Sequence, residues 1–317
     1  MTKLATVSYN TLNVGDEIQS LAVKRQLPHV DYEIDREKLN TFKSDNGEQV
    51  KLILNGWFME KPDNWPPSED IKPLFISFHI SHEFNAVQKM TSPEMIAYYK
   101  KHEPIGCRDM HTTNLLKSKG VDAYFSGCAT LTYENQFTER TNEIVMADPL
   151  FNLWPYSYGK YSADKLVPSE YQKDIVYTTH RRPSRDRSQE DRVRDAEKII
   201  ETYSKAKLVF TSRIHVALPC LALGTPVIFI NAGYNSKNLS NRFEGLVGNM
   251  RTMNDDDFAF SRKNVFNLFA RTAGLHKLSS KPKVLDIDWE NPPKNPVDIS
   301  PIANGIKDRI KAFISED

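Results

Sequence analysis

The chain alternates short apolar runs with amphipathic segments along most of its length. In the first half, apolar and β-branched runs predict strands at 4–9, 32–35, 50–54, 73–80, 105–107, 123–126 and 143–147. Between them, apolar residues recur at helical spacing and predict helices at 16–27, 92–102 and 109–118. Strands that alternate with helices predict a parallel sheet with helices on its faces.

The same pattern restarts in the second half. Strands are predicted at 174–179, 208–211 and 227–230, and helices at 188–205, 214–223, 254–273 and 302–314. We therefore expect an α/β protein of two doubly wound, Rossmann-like domains that face a cleft. The expected units are an N-terminal α/β domain (1–150), a connection rich in Pro, Tyr, Trp and Ser (151–173), a C-terminal α/β domain (174–280), and a Pro-rich segment with a final helix (281–317).

Composition narrows the class of protein. Of 317 residues, 39% are hydrophobic and 26% charged, and the formal net charge is +1, so bulk charge does not indicate nucleic acid or an anionic membrane as partner. No apolar run approaches the roughly 20 residues that span a bilayer, and the N-terminus lacks a signal-peptide pattern. Cys107, Cys128 and Cys220 have no metal-ligand spacing, and we interpret them as reduced core thiols of a cytoplasmic protein.

Ligands of doubly wound sheets bind beyond the carboxyl ends of the strands, so the residues that follow each strand are the candidate site. Asn13 and Asp16 flank a turn after the first strand, where Gly15 allows backbone N–H groups to approach an anion. The alternative is a tight turn with Asp16 as the helix cap. Asn55 and Trp57 follow the third strand, where Trp57 either offers a flat face to a sugar ring or packs within the loop.

Two further polar groups follow strands of the first half. His79 and His82 are candidates for carrying protons or binding hydroxyl groups, with a structural histidine as the alternative. No acidic residue stands at ligand spacing beside them, so we expect no metal site. Arg108 either binds a ligand or pairs with Asp109 or Asp122, and Asp109 is the expected cap of the next helix.

The second half carries two polar segments at strand ends. Residues 180–187 (His-Arg-Arg-Pro-Ser-Arg-Asp-Arg) indicate either a phosphate or pyrophosphate site or a solvated basic loop. Residues 212–215 (Ser-Arg-Ile-His) follow an apolar strand and open an apolar helix. Burying Arg213 and His215 there would be costly without a ligand or partner, and the alternative is an Arg–Asp pair with a capped histidine.

Taken in order, these motifs resemble those of the polysaccharide pyruvyl transferases. The resemblance extends from about residue 4 to residue 230 and rests on the segments 13–19, 52–59, 108–121 and 212–226. The Ser-Arg-Ile-His segment is its most specific part. One departure is the segment 126–129 (Ser-Gly-Cys-Ala), where many members have Asp-Pro.

The resemblance implies a fold similar to B-type glycosyltransferases and transfer of the enolpyruvyl group of phosphoenolpyruvate to a sugar, which forms a pyruvate ketal and releases phosphate. It implies that His215 and Arg213 are catalytic, and that phosphoenolpyruvate is bound by Arg213, Ser212 and either Arg181 or Arg182. No cofactor or metal ion is expected. The candidates that we assign to the acceptor side or to other parts of the cleft are Asn13, Asp16, Asn55, Trp57, His79, His82 and Arg108.

The implied partners are phosphoenolpyruvate and a sugar acceptor of capsule or exopolysaccharide synthesis, with a lipid-diphosphate-linked oligosaccharide as one option. The expected location is the cytoplasm, with at most peripheral association at the inner face of the membrane. A nucleotide-sugar glycosyltransferase of similar fold is one alternative, although the helix 216–223 lacks an acid to hold a donor ribose. The other is a non-catalytic glycan-binding relative, which Arg213 and His215 disfavour.

Overall fold

The computed structural model describes residues 2–58, 61–81, 85–150, 166–182, 184–232, 241–254, 257 and 285–316. Within these ranges the chain is an α/β protein with two parallel sheets, of six and five strands, which confirms the predicted fold class. The first sheet has the order β2-β1-β3-β4-β5-β6. Its strands are β1 (Lys3–Ser8), β2 (Tyr32–Asp35), β3 (Val50–Trp57), β4 (Ile71–His79), β5 (Ile105–Cys107) and β6 (Ala123–Phe125).

The second sheet has the order β11-β10-β9-β7-β8. Its strands are β7 (Ile144–Ala147), β8 (Ile175–Thr178), β9 (Leu208–Thr211), β10 (Val227–Asn231) and β11 (Arg251–Asn254). The expected boundary at residue 150 placed β7 with the first half, but β7 pairs with β8 and β9 in the second sheet. β11 was not predicted, because its sequence, Arg-Thr-Met-Asn, contains a single apolar residue.

Helices lie between the strands of both sheets. They are α1 (Val14–Lys24), α2 (Ala86–Met90), α3 (Pro93–Lys100), α4 (Met110–Ser118), α5 (Gln189–Lys205), α6 (Ile214–Ala222) and α7 (Ser300–Ser315). All but the short α2 were predicted, and the helix predicted at 254–273 falls almost entirely outside the described residues. None of the helices in these ranges combines the length and the apolar character that crossing a bilayer requires.

The ends of two helices are fixed by side chains that also lie near the cleft. Asn13, not Asp16, caps α1, because Oδ1 of Asn13 accepts a hydrogen bond from the Gly15 N–H at 3.1 Å. Asp109 caps α4 as predicted, and its Oδ1 accepts from the Thr112 N–H at 2.9 Å. Short polar side chains at these positions satisfy N–H groups that have no partner inside the helix.

The two halves of the molecule are joined by packing and by backbone hydrogen bonds. α1 packs against α5 and α6 of the second half, and α7 returns to pack against β4 of the first sheet. The Val14 N–H donates to the His180 carbonyl at 2.9 Å, and the Arg182 N–H donates to the Leu12 carbonyl at 2.7 Å. These contacts hold the carboxyl ends of the two sets of strands against each other. The three cysteines are buried and free, as predicted.

Candidate functional site

A cleft of about 120 Å³ lies where the carboxyl ends of strands from both sheets meet. Its walls come from the start of α1, the ends of β3, β4, β5 and β8, and the start of α6. The lining residues are Asn13, Asp16, Gln19, Trp57, His79, Ser81, Arg108, His180, Arg213, Ile214, His215 and Arg242. The location agrees with the expectation that ligands of such sheets bind beyond the strand ends.

His215 lies in the first turn of α6, and its side chain borders the cleft. Its Nε2 atom is buried and has no hydrogen-bond partner among the described residues. Burial, followed by the positive charge of Arg108, lowers the pKa of His215 well below its ordinary value. The imidazole is therefore neutral at pH 7, and its buried Nε2 atom borders the cleft as a possible contact for a ligand.

Arg213 lies one residue before α6 and reaches the same cleft. Its Nε donates to Oδ2 of Asp148 at 3.1 Å, and the same oxygen accepts from the His180 N–H at 3.0 Å. Asp148 follows β7 directly and has a positive φ of 47°, a conformation that Asp tolerates better than most residues. The predicted alternative of an Arg–Asp pair is thus present, but the side chain of Arg213 still borders the cleft and is 19% exposed.

The opposite wall carries a second imidazole with an acidic partner. Nδ1 of His79 lies 2.6 Å from Oδ2 of Asp109, and both side chains are almost fully buried. Arg108 lies beside the pair, with its Nε 3.6 Å from the same carboxylate oxygen. Arg108 therefore both borders the cleft and pairs with Asp109, and its predicted pairing with Asp122 is not seen. Burial and then Arg108 lower the pKa of His79 to about 4.

Trp57 forms the aromatic part of this wall at the end of β3. The Arg36 guanidinium lies 5.5 Å from the Trp57 ring centroid and 5.3 Å from that of Tyr9, and its Nη1 donates to the Trp57 carbonyl at 3.0 Å. Asp16 is held nearby, because its Oδ2 accepts from the Thr11 hydroxyl at 2.6 Å. The indole is thus fixed by a cation on one side while it remains part of the cleft surface.

His180 places a third imidazole in the cleft. It is buried, and its Nε2 lies 3.0 Å from the Tyr203 hydroxyl. Burial and then Arg213 lower the pKa of His180 to about 3, so this ring is also neutral at pH 7. The fixed charges at the cleft are therefore the guanidinium groups of Arg108, Arg213 and Arg242 and the carboxylates near them, which are Asp16 in the lining, Asp109 beside Arg108 and Asp148 beside Arg213.

Several predicted site residues lie elsewhere. The side chain of Arg182 is buried between the two halves, where its Nη1 donates to Glu17 at 2.8 Å, and it does not line the cleft. Arg181 is exposed and does not line the cleft either. The guanidinium of Arg182 is occupied by two partners, because Nη1 donates to Glu17 and Nη2 donates to the Arg192 carbonyl. Arg182 therefore does not reach the cleft in which its contact with the donor was predicted.

The other three predicted residues support the walls or fall outside the described chain. Ser212 donates from its hydroxyl to the Asp148 carbonyl at 2.7 Å and so anchors that residue. Asn55 is buried and donates from Nδ2 to the Gln19 carbonyl at 3.0 Å, which holds α1 against β3. His82 is outside the described residues.

Sequence reasoning missed five lining residues and one support. His180 and Asp148 follow strands, so the rule that found Arg213 applied to them too, but His180 was named only within the basic segment 180–187, and Asp148, near the end of the expected N-terminal domain, was not singled out. Gln19 lies about one turn along α1 from Asp16, and Ser81 and Ile214 lie beside residues that were named. Arg242 belongs to the 3-10 helix Asn241–Phe243, and no sequence pattern pointed to it.

Within the described ranges, no three His, Cys, Asp or Glu side chains are grouped as ligands of a metal ion would be. The titratable groups of the cleft are instead arranged as separate histidines, each beside an arginine or an acid. Such a surface can bind an anion, and it can move a proton at more than one place.

Two solved structures match this chain at low sequence identity. A protein of uncharacterized function from Klebsiella pneumoniae matches with a TM-score of 0.45 and 11% identity, covering 80% of this chain and 92% of that chain. The S. aureus MnaA structure with UDP matches with a TM-score of 0.38 and 10% identity, covering 90% of this chain and 100% of that one. Likeness this distant carries no information on function. No curated protein matches the chain.

The comparison with protein families is more informative. The sequence pattern of the polysaccharide pyruvyl transferases matches residues 13–234, which is more than half of the chain. The matched segment contains every lining residue of the cleft except Arg242. It confirms the resemblance drawn from the motifs, and the chain belongs to the polysaccharide pyruvyl transferase family.

Proposed function

We propose that this protein transfers the enolpyruvyl group of phosphoenolpyruvate to a sugar of a polysaccharide or of its lipid-linked precursor, closes a pyruvate ketal and releases phosphate. One observation carries the proposal. Arg108, Arg213 and Arg242 border a single cleft around His215, whose buried Nε2 atom has no partner among the described residues. This arrangement suits a small, multiply charged anion that must also receive a proton.

The donor has two anionic groups, a carboxylate and a phosphate. Guanidinium groups bind both through paired N–H···O bonds, which are short and charge-assisted. The N-terminus of α6 adds N–H groups and positive potential beside Arg213. We therefore place the donor on the second-sheet side of the cleft, between Arg213 and the start of α6.

Proton transfer to the donor is the task proposed for His215. Burial and then the positive charge of Arg108 lower the pKa of His215, and a bound donor anion opposes that charge, so donor binding raises the pKa. A protonated His215 then gives its proton to the terminal CH₂ carbon of the donor, which makes C2 electrophilic. A sugar hydroxyl adds to C2, the phosphate leaves, and a second hydroxyl of the same sugar closes the ketal.

The acceptor is proposed to lie on the first-sheet side. Trp57, held by Arg36, presents an aromatic surface of the kind on which sugar rings stack, and it lies across the cleft from α6. Ser81 and Asn13 border the same region and carry groups able to bond sugar hydroxyls. The two sheets would then hold one substrate each, with the reacting atoms between them.

The test is direct. The protein is incubated with phosphoenolpyruvate and the p-nitrophenyl glycosides of galactose, glucose, mannose and N-acetylmannosamine, and products are followed by mass spectrometry and phosphate release. We expect phosphate release that depends on a glycoside, with a product heavier than that glycoside by pyruvate minus water. UDP-glucose replaces phosphoenolpyruvate in a parallel reaction. Transfer of glucose with release of UDP, and no reaction of phosphoenolpyruvate, would overturn the proposal in favour of a glycosyltransferase.

A further inference from the structure

The cleft holds a second proton carrier that the steps at the donor do not use. His79 and Asp109 form a buried pair on the first-sheet side, with Nδ1 of His79 at 2.6 Å from the carboxylate. His79 ends β4, and Asp109 follows β5, the neighbouring strand in the sheet. The pair therefore lies opposite the wall that carries His215.

Besides His79, two groups of Thr112 hold the Asp109 carboxylate in place. Its Oδ1 accepts from both the Thr112 N–H and the Thr112 hydroxyl, each at 2.9 Å, while its Oδ2 faces His79. The Thr112 hydroxyl in turn accepts from the Ile80 N–H at 3.1 Å. This network leaves the carboxylate little freedom, so the Nδ1–H tautomer of His79 is the one that it stabilises. The ring nitrogen left for a ligand in the cleft is then Nε2.

We infer that His79, oriented by Asp109, is the base that takes the proton from the attacking hydroxyl of the acceptor, while His215 serves the donor. This inference rests on the proposed function and assigns its two kinds of proton transfer to two different imidazoles. His79 is the catalytic residue of this step, and Asp109 is a positioning residue that also stabilises the imidazolium formed when His79 accepts the proton.

The proton count of the reaction needs such a base. The two acceptor hydroxyls lose two protons as their oxygens bond to C2 of the donor. One of these two protons replaces the proton that C3 of the donor gains from His215. The second proton is taken by the phosphate, which leaves with the electron pair of the C2–O bond. His215 must be protonated when the donor reacts, so it cannot receive the first hydroxyl proton at the same moment. A neutral imidazole on the acceptor side can.

The charge state of His79 agrees with this role. Burial and Arg108 lower its pKa to about 4, so the ring enters the reaction unprotonated at pH 7. A donor anion that neutralises Arg108 raises that pKa and strengthens His79 as a base only when the donor is bound. Proton removal from the acceptor is thereby coupled to occupancy of the donor site.

The first test compares His79→Asn and Asp109→Asn with the wild type. An Asn at 79 keeps an amide near the position of Nδ1 but removes Nε2, and an Asn at 109 keeps the oxygen that caps α4. We expect kcat to fall by about 10² to 10⁴-fold in His79→Asn, and by a smaller factor in Asp109→Asn, with the dissociation constant of phosphoenolpyruvate within about threefold of wild type. His29→Asn, which changes a histidine that is not in the cleft, is the matched control and should keep the wild-type kcat.

A second readout distinguishes a lost base from a damaged fold. The glycoside that reacts in the wild type is compared with its analogue carrying fluorine on the ring carbon next to an attacking hydroxyl, which makes that hydroxyl more acidic. If His79 is the base, the rate deficit of each variant is smaller with the fluorinated acceptor. General damage lowers both rates by the same factor. Should His79→Asn fail to fold, Asp109→Asn decides by the same comparison.

Each outcome has a distinct meaning. A wild-type protein that releases no phosphate from phosphoenolpyruvate with any glycoside of the panel overturns the proposed function. A wild-type protein that turns over, together with variants at 79 and 109 that keep the wild-type kcat or show equal deficits with both acceptors, overturns only the assignment of His79.

Discussion

A Cβ atom added to Gly15 would lie 3.0 Å from Nδ1 of His215. It would also lie 3.2 Å from Cβ of His215 and 3.2 Å from Oδ1 of Asn13. Gly15 is the second residue of α1 and His215 the second residue of α6, so the N-termini of two helices from opposite halves meet here without a side chain between them. The close approach fixes the imidazole of His215 against the first half of the molecule.

Gly15→Ala should therefore lower activity although alanine favours helices. We expect kcat for pyruvyl transfer to fall by about tenfold or more, because the added methyl group displaces the His215 ring by a few tenths of an ångström or more. The overpacking costs roughly 1–3 kcal/mol and offsets the gain of about 1 kcal/mol from helix propensity. Steady-state kinetics and urea unfolding measure the two effects.

The matched control is Gly305→Ala in α7, where a Cβ atom would meet nothing within 4 Å. This variant should be more stable by roughly 0.5–1 kcal/mol and keep its activity. If Gly15→Ala behaves like Gly305→Ala in both assays, the contact with His215 does not matter for the reaction.

Arg182 connects the two halves of the molecule in this structure. Its guanidinium lies 2.8 Å from the carboxylate of Glu17 on α1, and both side chains are almost fully buried. Arg182→Met leaves Glu17 buried with Arg192, at 3.5 Å, as its one cationic partner within the described part of the chain. We expect the free energy of unfolding to fall by about 3 kcal/mol, with little change in donor affinity. If Arg182→Met kept the wild-type stability but lost affinity for phosphoenolpyruvate, Arg182 would be a donor-binding residue after all.

The sequence predicted most of the fold because the strands are short apolar runs, and several helices start at recognisable caps. Asp109 caps α4 as expected, and Ser188, the first residue of the helix predicted at 188–205, is the cap of α5. β11 escaped prediction because an edge strand of polar residues carries no apolar run. β7 was found as a strand but assigned to the wrong half, since nothing local distinguishes the sheet that a strand joins.

Site residues could be predicted from the sequence where a polar side chain simply follows a strand. They could not be predicted where a residue far away in the sequence binds the side chain and keeps it out of the cleft. Arg213, His215, His79 and Arg108 all border the cleft as expected. Arg182 had the same local signal, but Glu17, which binds it, is 165 residues away in sequence. Such a pairing is set by how the two halves pack, and the neighbouring residues do not reveal it.

Buried neutral histidines should make stability depend on pH. The folded-state pKa of His79 is about 4 and that of His180 about 3, both below the ordinary value of 6.5. Between these values and 6.5 the unfolded chain binds more protons than the folded one, so the free energy of unfolding falls as the pH falls. Each such histidine should contribute about 2 kcal/mol of this loss between pH 8 and pH 5.

Urea unfolding of His180→Gln at the two pH values isolates one of these contributions. The variant should lose less stability on acidification than the wild type, by about 2 kcal/mol. An identical loss in His180→Gln and wild type would mean that His180 is not kept neutral by burial.

Donor binding should be accompanied by proton uptake at His215. Burial and then Arg108 lower the pKa of this ring, and a bound donor anion opposes the charge of Arg108 and raises the pKa. Calorimetric titration with phosphoenolpyruvate at pH 7.5, in two buffers of different ionisation enthalpy, counts the protons taken up. We expect net uptake in the wild type and clearly less in His215→Gln. Equal uptake in both proteins would place the titrating group elsewhere.

The proposed function depends on Arg213 binding an anionic donor in the cleft. Its most direct test is the dissociation constant of phosphoenolpyruvate, measured by calorimetry for the wild type, Arg213→Ala and Arg187→Ala, the last of which changes an arginine that pairs with Asp195 and does not line the cleft. We predict affinity reduced by about 30-fold or more in Arg213→Ala, equivalent to about 2 kcal/mol, and unchanged in Arg187→Ala. Wild-type affinity in Arg213→Ala would contradict the account.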